Sequence, residues 1–90
     1  MSEKNIFQRD NDYALRFPGG VVARRAVDNP GELYYVFQSL HAIVPIGDFF
    51  RTRNGFEAMA HCDWDRTVRS HYHSPDKAVE HIIKRHSANA

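Results

Sequence analysis

The dipeptide Asn54-Gly55 constrains this chain more than any other pair of residues. The tightest β-hairpin turn needs φ > 0 at both central positions, and Asn followed by Gly meets that need at least cost. The dipeptide lies between two apolar-rich runs, 46–53 and 56–62, which therefore read as paired antiparallel strands. A turn centred there sets Arg53 opposite Phe56, Arg51 opposite Ala58, Phe50 opposite Met59 and Asp48 opposite His61. One face then carries Phe49, Arg51, Arg53, Phe56, Ala58, Ala60 and Cys62. The other carries Ile46, Asp48, Phe50, Thr52, Glu57, Met59 and His61. The first is the better core candidate, because its return strand is wholly apolar.

An isolated hairpin is marginal in water, so other elements must cover it. Residues 67–73 read as a third strand, with Val68 and Tyr72 on one face and Arg69, His71 and His73 on the other. Ser74-Pro75 then starts a helix, with Ser as N-cap, Pro at the first position and Asp76 in the positive first turn. Its buried stripe is Ala78, Val79, Ile82 and Ile83, and Glu80 and Lys84 form an i,i+4 pair. Upstream, Tyr13, Leu15 and Phe17 alternate before the turn signal Pro18-Gly19-Gly20, and 21–27 returns as a second strand. Residues 29–44 pose a conflict. Their aromatics and valine favour strand, but Leu33, Val36, Phe37, Leu40, Ile43 and Val44 fall on one helical stripe. Asn29 as cap, Pro30 at the first position and Pro45 as stop complete the helical reading. The expected fold class is α+β: a small antiparallel sheet in the order β-β-α-β-β-β-α, with two amphipathic helices packed on one face. Residues 1–11 read as a polar tail that Ile6 and Phe7 dock, 12–87 as a single domain, and 88–90 as a frayed end.

Composition narrows the functions. Ninety residues support one modest core and leave little room for a buried catalytic cleft. Twelve basic and eleven acidic side chains leave a net charge of +1, which argues against a strongly cationic nucleic-acid binder. Five of the six histidines fall in residues 51–90. The lone Cys62 forms no intramolecular disulfide, which favours a reducing, cytoplasmic location. The apolar run 42–46 is far too short to span a bilayer, and the N-terminus has no signal-peptide pattern, so no membrane association is expected.

Four constellations carry chemistry. His71 and His73, two apart on a strand, share a face with His61 and Asp48, and zinc accepts imidazole and carboxylate ligands. No paired Cys or His spacing of the zinc-finger kind accompanies them, so a zinc-binding domain ranks third and no cofactor is expected. Asp48 and His61 could act as base and orienter, but only Ser70 and Thr67 offer themselves as nucleophile, and no catalytic residue is assigned. Arg51, Arg53, Arg66 and Arg69 lie on or beside the three-stranded sheet, with Trp64 in the connecting turn; arginine forks bind phosphates and aromatics stack bases. The order of three strands and a helix over 46–86 resembles that of AP2-type and integrase arm-type DNA-binding domains, in pattern and without a shared residue motif. Last, Tyr34, Tyr35 and His41 lie off the apolar stripe of the first helix and, with Trp64, would anchor a protein partner.

The sequence thus favours a non-enzymatic macromolecule-binding module. The first expectation is nucleic acid or a nucleoprotein complex, bound through Arg51, Arg53, Arg66, Arg69 and Trp64. The second is a small inhibitor or immunity-type protein that occludes a protein target by direct contact through Tyr34, Tyr35, His41 and Trp64.

Overall fold

The computed structural model describes residues 14–26, 31–66 and 69–88, with the side chains of 64–66 left out. Six features read from the sequence lie outside the described residues. They are the tail 1–11 with Ile6 and Phe7, Tyr13 in the first strand, Val27 in the second, the Asn29-Pro30 helix start, Thr67 and Val68 in the last strand, and the end 89–90.

Six strands form one antiparallel sheet, and each pairs with its neighbour in sequence. They are β1 (Ala14–Arg16), β2 (Val22–Arg25), β3 (Leu33–Phe37), β4 (Gly47–Thr52), β5 (Gly55–Ala60) and β6 (Ser70–Tyr72). A 14-residue helix, α1 (Pro75–Ala88), follows, and short 3-10 turns span Pro18–Gly20 and His61–Arg66. None of the described helices is long and apolar enough to cross a membrane.

The expectation of two helices on one sheet face is thereby corrected: among the described residues the sheet has six strands and a single α-helix packs on it. The segment read as the first helix supplies β3, which is hydrogen-bonded on both sides, to β2 and to β4. Five consecutive bulky residues, Leu33-Tyr34-Tyr35-Val36-Phe37, fit a pleated surface better than a helix. The same residues also carry a period of two. Tyr34 and Val36 turn into the core, while Leu33, Tyr35 and Phe37 are only partly buried. The helical stripe required Leu40, Ile43 and Val44 to be buried as well, and all three are exposed. Pro45 therefore ends a loop, after which the Ile46 amide donates to the Val36 carbonyl at 2.7 Å and opens β4.

The β4–β5 hairpin forms where expected, but two residues out of register. Thr52 pairs with Gly55, so Arg53 and Asn54 are the two turn residues, and Arg51 faces Phe56, Phe50 faces Glu57 and Asp48 faces Met59. Gly55 serves the strand instead of the turn. Its φ is +156°, and a Cβ there would stand 2.3 Å from the Tyr72 carbonyl oxygen. Glycine at this position is what lets β6 approach β5. A slip of two preserves the side-chain alternation, so the residues paired in β4 and β5 keep their expected faces, while Arg53 moves into the turn and Ile46 joins the core.

The core lies between the sheet and α1. Leu15, Ala23, Tyr34, Val36, Phe49, Phe56, Ala58 and Ala60 meet Ala78, Val79 and Ile82. Phe49 is its centre, stacked on Tyr34 at 5.0 Å and edge-on to Phe56 at 5.8 Å. The helix starts as its sequence dictates: Ser74 Oγ accepts from the Lys77 amide at 3.3 Å, with Pro75 at the first position. Its lateral ion pair is Lys77–Glu80 at 3.6 Å, where the sequence suggests Glu80–Lys84. Gly47 fixes how close the helix sits, since a Cβ there would fall 2.5 Å from Ile82 Cγ2. At the far end Arg85 grips Asp63 with two bonds, of 2.8 and 2.6 Å. Midway, the Tyr72 hydroxyl and Nδ1 of His81 share a hydrogen bond of 2.9 Å, and burial lowers the basicity of that imidazole.

Candidate functional site

Loop 38–46 joins β3 to β4 and holds no Asp, Glu, Lys or Arg. Ile43 is 89 % exposed and Val44 70 % exposed, with Leu40 at 37 %. Two adjacent branched aliphatics so open to water are costly, because burying one such side chain is worth about 1.5–3 kcal/mol. The loop is held at its base and turned back on itself. The Ala42 amide donates to Ser39 O at 3.2 Å, Arg24 Nη2 donates to Leu40 O at 2.9 Å, and Ile46 is buried beneath. An apolar, uncharged tip thus projects from a rigid sheet, with His41 exposed beside it. The sequence contains the signal, since 42–46 is an unbroken run of five apolar residues. The helical stripe assigned that run to the core and so hid Leu40, Ile43 and Val44 as surface residues.

The sheet face opposite α1 carries a second constellation. Asp48, only 6 % exposed, accepts two bonds from Arg69 on Oδ1, at 2.5 and 3.2 Å. Its Oδ2 lies 3.0 Å from His61 Nε2. The Arg69 guanidinium lies over Phe50 at 4.8 Å, Arg24 lies over Phe37 at 5.7 Å, and Tyr35 meets His61 edge-on at 6.5 Å. The Asp48–His61 pair read from the sequence therefore forms, reached diagonally in the shifted register. It is tied to Arg69, and among the described residues neither Ser70 nor Cys62 is placed to act as its nucleophile. Ser70 pairs with Ala58 on the other face, Cys62 Sγ donates to Arg85 O at 3.5 Å, and Thr67 lies outside the described residues.

The arginine constellation is split. Arg69 lies on the outer face, engaged by Asp48. Arg51 lies on the helix side, over Phe56 at 5.4 Å and 3.8 Å from Glu32. Arg53 is exposed in the hairpin turn, and the side chains of Arg66 and Trp64 lie outside the described set. The partner-binding group is split too. Tyr34 is 2 % exposed, donates to Glu32 at 3.1 Å, and burial pushes its pKa up to about 12. Tyr35 points to the opposite face, and His41 alone of that set lies on loop 38–46. The histidines also divide, into His61 with Asp48 and, separately, His71 with His73 at 5.8 Å between rings. Among the described residues no three His, Cys, Asp or Glu side chains come together as a metal centre.

No family model, curated protein or solved structure matches this chain.

Proposed function

We propose that this chain is a non-enzymatic protein-binding domain that inserts loop 38–46 into an apolar cleft of its target and so occludes it. The observation that carries this reading is the exposure of Ile43 and Val44, 89 % and 70 %, on a loop without a charged residue. A contiguous exposed apolar patch marks an interaction surface. The exposed aliphatics of the loop and its bonded base suit insertion, because little of the contact has to be ordered on binding. To test it, a photo-crosslinking side chain replaces Ile43, and a control replaces Glu80 on the helix. The expected result is one covalent partner, specific to position 43, displaced by excess unlabelled chain. The competitor Ile43→Asp/Val44→Asp should fail to displace it while melting within about 0.5 kcal/mol of the parent, as surface substitutions do. Equal competition by that variant refutes the assignment.

A second reading, nucleic acid or nucleoprotein, draws on the guanidinium–aromatic pairs Arg24–Phe37 and Arg69–Phe50, a kind of surface on which bases stack. It ranks lower for two reasons: Asp48 neutralises Arg69, and Ala14, Val22 and Met59 on the same face are buried. Labelled DNA and RNA oligonucleotides that fail to bind below about 100 µM at low salt remove it, since non-specific contacts alone reach that affinity.

A further inference from the structure

We propose that His71 and His73 form a surface site for a divalent first-row transition metal ion, at the end of the sheet away from loop 38–46. Residues two apart on a strand project from one face, roughly 7 Å apart along the backbone. The two imidazoles stand 5.8 Å apart between centroids and perpendicular to one another. Both side chains are exposed, so an ion reaches them from solvent. Two nitrogens on one zinc, each about 2.0–2.1 Å from it in tetrahedral geometry, stand roughly 3.4 Å apart, so chelation requires the two rings to turn their nitrogens toward one another.

The neighbourhood fits a cation. His71 lies over Gly55, where a Cβ would approach its Cε1 to 3.1 Å, so the glycine makes room for the ring. Its Nε2 lies 3.5 Å from Thr52 Oγ1, which directs that nitrogen toward the hairpin turn. His73 follows β6 toward the same turn, because Tyr72 already faces Phe56. Glu57 stands directly across from His71 on the same face. It supplies negative charge there, and its carboxylate is the group suited to hold the other ring nitrogen of His71, as outer partners of metal-bound imidazoles do. The site is therefore a two-histidine chelate with its remaining positions open to water. Asp48 and His61, which the sequence grouped with it, belong to the Arg69 cluster and take no part.

Isothermal titration of the full chain with zinc, nickel and copper chlorides tests this. The expected result is one ion per chain, with copper tightest, as the usual divalent order requires. His71→Ala and His73→Ala should each weaken binding by more than the roughly 10–100-fold that loss of an outer partner causes, and Glu57→Gln by no more than that range. His41→Ala and His86→Ala should leave binding unchanged. Thermal melts of the exposed-histidine variants should match the parent, which separates lost binding from lost fold. Binding that survives either His71→Ala or His73→Ala undiminished overturns the site, and so does an absence of binding by all three ions.

Discussion

Among the described residues Asp48 is the one buried charged side chain, and replacing it by Asn tests how the outer sheet face is held. Asn preserves the shape and one carbonyl oxygen but removes the charge and turns one acceptor into a donor. Three bonds converge on the carboxylate, two from Arg69 and one from His61. Hydrogen bonds to a charged group are worth about 1.5–3 kcal/mol, and breaking one side of a fully buried pair costs about 3–5 kcal/mol. Arg69 and His61 retain about a quarter of their side-chain exposure, so water recovers part of that loss. The expected cost is about 2–3 kcal/mol. At roughly 4–8 °C per kcal/mol for a domain of this size, Tm should fall by about 10–20 °C. Urea melts followed by far-UV circular dichroism measure it, with an unchanged slope showing that the native fold is retained. Asp48→Leu/Arg69→Met removes both charges and should cost less than the two single changes added together. A loss below about 0.5 kcal/mol for Asp48→Asn, the size of an ordinary surface change, refutes the reasoning.

Three other outcomes follow from the packing and protonation. Gly47→Ala drives a methyl onto Ile82 and the Met59 carbonyl, so it should cost about 1–3 kcal/mol, read in the same melts; a neutral result means the helix stands further off. Tyr34, with its pKa pushed up to about 12 from an ordinary 10.0, should give a late step in an alkaline absorbance titration. Its neutral form is the one the fold favours, so that part of the stability is intact below pH 10 and lost as the pH climbs toward 12; Tyr34→Phe should remove this late step. For His81 the sign is opposite. Burial disfavours its charged form, so its contribution is present above the ordinary value of 6.5 and lost as the pH falls below it. His81→Gln should flatten the acid limb of stability against pH, and an unaltered limb counts against the burial of His81 as its source.

The elements bounded by strong local chemistry were legible in the sequence. Ser74-Pro75 places α1, Pro18-Gly19-Gly20 places the β1–β2 turn, and Asn54-Gly55 places the central hairpin. Where one residue serves two demands, local rules fail. Gly55 reads as a turn residue, but the approach of β6 claims it for the strand, and the register shifts by two. Residues 33–44 satisfy both a period of two and a helical stripe. The choice was decided by pairing on both edges of β3, a non-local contact that no window of sequence contains. That error reached the site as well. It buried Ile43 and Val44 on paper and brought Tyr34 to the surface, whereas the strand does the reverse. The Asp48–His61 contact survived because alternation depends on parity alone.

The neighbour-to-neighbour strand order has a consequence for biosynthesis. Every strand finds its hydrogen-bonding partner in the segment made just before it, so the sheet grows during translation by short loop closures. The cover for its apolar face comes last, because α1 occupies residues 75–88. Until the ribosome releases those residues, Leu15, Val36, Phe49 and Phe56 line a sheet with one greasy side uncovered. A stalled or prematurely terminated chain therefore presents nearly all of the strands and none of the lid, the state most prone to aggregate or to be taken up by a chaperone.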